Sequence, residues 1–98
     1  ALLQLVAAAC EGGRATGKKV GVCGEAGGDP LLALVLTGLG VSSLSMAPSK
    51  VNVVRASLRL HDLVTCQQMA SYALDARTAQ DAREAVTAIV HPTLLDLL

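Results

Sequence analysis

The chain has 98 residues, 52% of them hydrophobic, and sets eight Lys and Arg against eight Asp and Glu, with one Tyr and neither Trp nor Phe. That balance leaves no clustered basic footprint for nucleic acid or an anionic membrane, and no apolar run is longer than that of Leu31 to Leu36, far short of the roughly 18 residues that span a bilayer. No basic, apolar and small-residue series opens the chain as a signal peptide does, so a soluble, cytoplasmic protein that binds neither nucleic acid nor membrane is expected. Three Cys at irregular spacing make neither a disulfide framework nor a Cys-x-x-Cys motif and are expected as reduced thiols. A chain of this length supports one domain with a modest core of Leu, Val, Ala and Met, and gains from burying more surface against a partner. It opens as Ala1-Leu2-Leu3-Gln4, without an initiator Met and inside an apolar pattern, which is expected of a piece cut from a longer protein.

Leu2, Leu3, Val6, Ala9 and Cys10 recur at helical spacing, with Gly12-Gly13 as a stop. After a loop to Gly17, Lys18 to Cys23 reads as a short strand that leaves through Gly24-Glu25-Ala26-Gly27-Gly28. Asp29-Pro30 then supplies an N-cap and a proline at the first helical position, where the missing N–H would be orphaned in any case. A helix over Pro30 to Thr37 is predicted, ended by Gly38 and Gly40. Val41 to Met46 forms a second strand, and Ala47-Pro48-Ser49 leads into a helix through Leu60.

Strands alternating with helices across short glycine-marked connections indicate βα units on a parallel sheet. From Asp62 onward only helices are expected: Leu63, Cys66, Ala70, Ala73 and Leu74 mark one face, and Ala82, Ala85, Val86 and Ile89 the next. Thr78 followed by Asp81 resembles a capping box, and His91-Pro92 closes the last helix before a Leu-rich tail. Two parallel strands make a poor sheet by themselves. The expected class is α/β, and the simplest completion is a larger α/β domain such as a (β/α)8 TIM barrel, with residues 1–61 as its last two βα units and residues 62–98 as C-terminal helices packed on it.

Cys23 ends its strand, where barrels and open α/β sheets place reactive groups, and Gly21 and Gly24 would let a ligand approach. An ordinary thiol, with a pKa of about 8.5, is protonated at neutral pH and suits a proton donor; a buried strand cysteine is the plain alternative. Gly21, Gly24, Gly27 and Gly28 match neither phosphate-binding glycine pattern, and Asp29 at the helix start would repel a phosphate. Glu25 reads either as a general base or, in preference, as a group that fixes the loop through backbone amides. His61 and His91 lie at helix boundaries without neighbours at metal-ligand spacing and read as structural or solvated. Cys10 and Cys66 fall on apolar helix faces. Lys50, Arg55 and Arg59 read as a solvated face.

Taken in order, Gly17-Lys18-Lys19-Val20-Gly21-Val22-Cys23-Gly24-Glu25, Gly28-Asp29-Pro30 and Gly38-Leu39-Gly40-Val41-Ser42-Ser43-Leu44-Ser45-Met46-Ala47-Pro48-Ser49 resemble the phosphoenolpyruvate-utilising enzymes. Within them the sequence is most like the enzyme I branch of the bacterial sugar phosphotransferase system; pyruvate phosphate dikinase and phosphoenolpyruvate synthase share the matching domain. The resemblance covers about residues 1–90. It implies a phosphoenolpyruvate-binding barrel that delivers a phosphoryl group to a histidine on another domain, then to a histidine-containing phosphocarrier protein, with release of pyruvate. Cys23 matches the family's proton donor, and Gly24 and Glu25 match the supporting loop beside it. The Mg²⁺ carboxylates, the phosphate-binding arginines and the phospho-accepting histidine are expected upstream of Ala1, so that this piece alone would be inactive. The resemblance also implies a homodimer formed through this domain, which leaves a non-catalytic dimerisation module as the alternative. Ala47 stands where enzyme I often has Ser.

Overall fold

The computed structural model describes residues 2–24 and 28–97. Its elements are α1 (Leu2–Thr16), β1 (Gly21–Cys23), α2 (Pro30–Leu39), β2 (Ser43–Ser45), α3 (Pro48–Arg59), α4 (Leu63–Asp75), α5 (Ala79–Thr87) and α6 (Pro92–Leu97). The strands pair in parallel, with Gly21 opposite Ser43, Val22 opposite Leu44 and Cys23 opposite Ser45. A parallel pair joined through a helix agrees with an α/β arrangement. The described residues are otherwise mostly helical, and the two strands do not themselves close a barrel.

Gly12-Gly13 does not stop α1, which continues to Thr16 and yields to Gly17 at φ 70°. Gly13 is buried because the chain folds back over it: Lys18 N–H donates to the Gly13 carbonyl at 2.7 Å, and a Cβ on Gly13 would lie 2.7 Å from the Lys18 oxygen and 3.0 Å from Val20. The strand is accordingly shorter than the predicted run from Lys18. Beyond the ladder, the Ser42 N–H and hydroxyl both donate to the Val20 carbonyl, at 2.8 and 3.0 Å.

Asp29 caps α2 as expected, its Oδ1 accepting from the Leu31 and Leu32 amides at 3.0 and 3.3 Å, with Pro30 in the first turn. The helix passes through Gly38 and ends at Gly40, whose φ of 108° places it in the left-handed region. Gly38 is needed as a surface of close approach: a Cβ there would collide with the backbone carbonyl of Cys66 in α4. Leu31, Ala33, Leu34, Val35, Leu36 and Leu39 are buried, so α2 is enclosed by other elements along most of its circumference. Leu31, Leu34, Val35 and Leu39 join Met69, Ala70, Ala73, Val86, Val90 and Leu94 in the larger core. Leu36 turns to Cys10 and Val41, with the half-buried Val22 and Leu44 of the sheet beside them.

In α4, Cys66, Ala70 and Ala73 are buried as predicted. Leu63 instead points outward, 56% exposed, and Met69, fully buried, takes the central place. In α5 Val86 is the buried residue; Ile89 lies past the helix end and is exposed, while Val90 goes inside. Thr78 Oγ1 accepts from the Asp81 N–H at 3.0 Å, the first half of the capping box. The Leu-rich tail is helical over α6 and contributes Leu94 to the core with no exposed surface.

Candidate functional site

The burial alternates along both strands in the same phase: Val22 and Leu44 face the helices, and Gly21, Cys23, Ser43 and Ser45 are exposed on the opposite face. In βα arrangements ligands bind at the carboxyl ends of the strands, which here border this helix-free face. Side chains no larger than a thiol line it. Gly21 is required there, since a Cβ would stand 2.6 Å from the Ser43 hydroxyl. Cys23 occupies the carboxyl end of β1 level with Ser45, and its thiol is exposed. Gly24 follows in the left-handed region at φ 93°, where a side chain would be strained. Glu25, predicted to support this loop, lies outside the described residues. Gly28 returns the chain against β2's exit, its Cα facing Met46 and the aliphatic stem of Lys50, where a Cβ would meet Lys50 Cγ at 3.2 Å and Met46 Cβ at 3.5 Å.

The start of α2, beside this end of the sheet, is held by three contacts. Asp29 caps it and forms an ion pair with Arg83 of α5 at 2.9 Å. Ser57, buried in α3, donates its hydroxyl to the Pro30 carbonyl at 2.9 Å. Burial raises the Asp29 carboxyl, but the hydrogen bond from Arg83, the Leu32 and Leu31 amides and the Arg83 charge outweigh it and hold the group below its ordinary 3.8. Asp29 is therefore an anchor rather than an acid. Its partner Arg83 is 54 residues away, a pairing for which the local sequence holds no signal.

Cys10 and Cys66 are buried, as their apolar faces predicted. Burial, with the Asp62 carboxylate adding to it, pushes the Cys66 thiol up. Lys50, Arg55 and Arg59 are exposed, in keeping with a solvated face. His61 and His91, 30 residues apart, come together at the end of α3: the His91 N–H donates to His61 Nε2 at 2.9 Å. Sequence spacing did not reveal this pair, because it depends on how α6 returns to α3.

Open clefts of about 490 and 500 Å³ flank α2, one walled by Leu3, Asp29, Arg77 and Arg83, the other by Leu44, Val54, Arg55 and His61. Cys23 lines neither, so its thiol stands on an open sheet face. Among the described residues no three His, Cys, Asp or Glu side chains converge in a group fit to hold a metal ion. These residues do not compose a site for the Mg²⁺ that the resemblance implies. No helix among them is long and apolar enough to cross a membrane.

The family model described as PEP-utilising enzyme, PEP-binding domain, matches residues 1–63. A phosphoenolpyruvate-protein phosphotransferase of Streptomyces coelicolor is 51% identical over 90 residues, covering 92% of this chain and 16% of the relative. A multiphosphoryl transfer protein of Xanthomonas campestris is 42% identical over 83 residues, covering 85% and 10% respectively. A phosphoenolpyruvate-protein phosphotransferase of Borreliella burgdorferi is 36% identical over 81 residues, covering 83% of this chain and 14% of the relative. The chain thus spans a small part of these relatives' lengths. Matched across its βα units by the domain model and across most of its length by phosphotransferases, the chain belongs to the PEP-utilising enzyme family.

Proposed function

We propose that this chain is the C-terminal part of a phosphoenolpyruvate-protein phosphotransferase, the enzyme I of a sugar phosphotransferase system, working in the cytoplasm. The complete protein would move the phosphoryl group of phosphoenolpyruvate to its own histidine and then to a histidine-containing phosphocarrier protein. Residues 1–61 would close a (β/α)8 barrel with upstream strands, and residues 62–98 would brace it. The observation that carries this reading is the exposed Cys23 thiol at the carboxyl end of β1, on the helix-free face and level with Ser45.

Loss of the phosphoryl group leaves enolpyruvate, whose C3 must gain a proton to become pyruvate. A thiol above one face of that carbon can give its S–H proton and recover one from water, a general-acid step. Gly21 and Gly24 keep the approach clear, and the small neighbours Ser43 and Ser45 leave room for a three-carbon acid. Mg²⁺, when bound, would neutralise phosphate charge; its ligands would come from outside the described residues.

The test uses the complete protein with Cys23→Ala. Pyruvate release should fall about a hundredfold or more, the range for loss of a positioned acid, while formation of phosphohistidine from phosphoenolpyruvate falls less. Wild-type pyruvate release in that variant would return Cys23 to a structural role. A homodimer is part of the same reading; in the 98-residue chain by itself, the strand edges that upstream strands would otherwise take up are where a second copy would pair.

A further inference from the structure

We propose that His61 and His91 form a pH-sensitive latch that holds α6 on the end of α3 while both rings are neutral and releases it when they take up protons. The contacts select the tautomers in which the latch is closed. His61 Nδ1 lies 2.7 Å from the Ser57 carbonyl oxygen, which can only accept, so this nitrogen carries the hydrogen. His61 Nε2 accepts the backbone N–H of His91 at 2.9 Å and must be bare. His91 in turn accepts the Thr93 N–H on its own Nδ1 at 3.1 Å, at the first turn of α6. The rings meet edge to face, with centroids 6.4 Å apart and planes at 90°.

Each imidazole thus receives a backbone N–H on a lone pair, and a further proton turns that lone pair into a donor aimed at another donor. Protonating His61 breaks the tie between α3 and α6; protonating His91 removes the cap of α6. Histidine is the side chain that ordinarily changes charge between pH 5 and 8. The surrounding charges are of both signs, Arg55 and Arg59 opposing an imidazolium and Asp62 attracting it. Arg55 and Cys66 share a cleft wall with His61, Arg59 ends α3, and Asp96 is the titratable group within α6. Asp62, next to His61 in sequence at the start of α4, is held by the Thr65 N–H at 2.8 Å. An imidazolium at His61 therefore loses the His91 amide and gains attraction to Asp62. What swings free is the helix that carries the fully buried Leu94.

Hydrogen exchange followed by NMR in the 98-residue chain tests the latch. Protection of the α6 amides, corrected for the intrinsic rate, should fall about tenfold or more between about pH 7.5 and about pH 5.5, while that of Met69 and Ala70 holds. In His61→Gln with His91→Asn, both acceptors remain and neither titrates, so the α6 protection should be flat with pH. A flat profile in the wild type, or an unchanged response in the double variant, overturns the proposal. If the double variant fails to fold, the ring nitrogen shifts of the wild type at high pH decide: His61 must carry its hydrogen on Nδ1, and hydrogen on Nε2 overturns the latch.

Discussion

Ser57 and Gly38 show how single atoms secure the molecule. Among the described residues Ser57 is the polar side chain wholly inside the core, and its hydroxyl joins α3 to the Pro30 carbonyl at the start of α2. Ser57→Ala removes the donor and leaves that carbonyl without it, an expected loss of about 1–3 kcal/mol, read from urea unfolding monitored by circular dichroism. Gly38→Ala should cost more, about 3 kcal/mol or above, since the new methyl meets rigid backbone at Cys66 instead of a side chain that can turn aside. A Gly12→Ala control, with nothing near its Cβ, should be neutral or stabilising in α1 by up to about 1 kcal/mol. These glycines also mark the limit of reading locally. Gly13 and Gly38 look like stops in the sequence, yet each lies inside a helix, because its role is set by a segment that returns against it. Asp29-Pro30 was legible because a cap is made with amides two and three residues on. Cys23 was legible in position for a similar reason: a strand flanked by glycines fixes where its last residue falls.

At the scale of elements, α2 and α5 are fastened by their first turns. Thr78→Ala removes the oxygen that accepts the Asp81 N–H and should cost about 1 kcal/mol, visible as a lowered melting temperature. Asp29 does two tasks, capping α2 and meeting Arg83. Its carboxyl is held below 3.8 in the folded chain, so its contribution is fully present above that ordinary value and is lost as pH falls through the lowered one. Asp62, held down by the Thr65 hydroxyl and amide, contributes with the same sign. Asp29→Asn keeps a good cap but gives up the charge, so stability against urea should decline less steeply between about pH 5 and about pH 2.5 than in the wild type. A decline as steep as the wild type's would assign the acid sensitivity to other carboxylates. The order of helices and strands followed from periodicity and glycine punctuation. The length of α1, the outward turn of Leu63 and the folding of the Leu-rich tail into α6 did not, because each depends on which face the neighbouring helix offers.

The whole molecule has an asymmetric pair of cores. The larger one runs through α2 and the C-terminal helices, and the smaller one lies between α1 and a sheet of two short strands. The sheet side is the thinner, and its uncovered face and edges predict self-association of the 98-residue chain. Light scattering over a concentration series should show a mass above 10.0 kDa that grows with concentration; a constant monomer mass would mean that the helices suffice. The same chain should neither turn over phosphoenolpyruvate nor take up Mg²⁺ at a defined site, because the described carboxylates do not converge. Calorimetric titration with either ligand checks this, and stoichiometric binding at micromolar affinity would place the missing ligands within these residues.

The seat of Gly38 against Cys66 has a consequence for how relatives can exchange parts. One wall of that contact lies in the segment matched by the PEP-binding domain model, residues 1–63, and the other lies just past its end. A gene crossover that falls between them brings together a glycine-less helix and a close-set backbone, or a glycine and an empty gap, unless both parents share the fit. Successful chimeras between this chain and its relatives should therefore inherit residue 38 and the first turns of α4 from the same parent, whichever supplies β1.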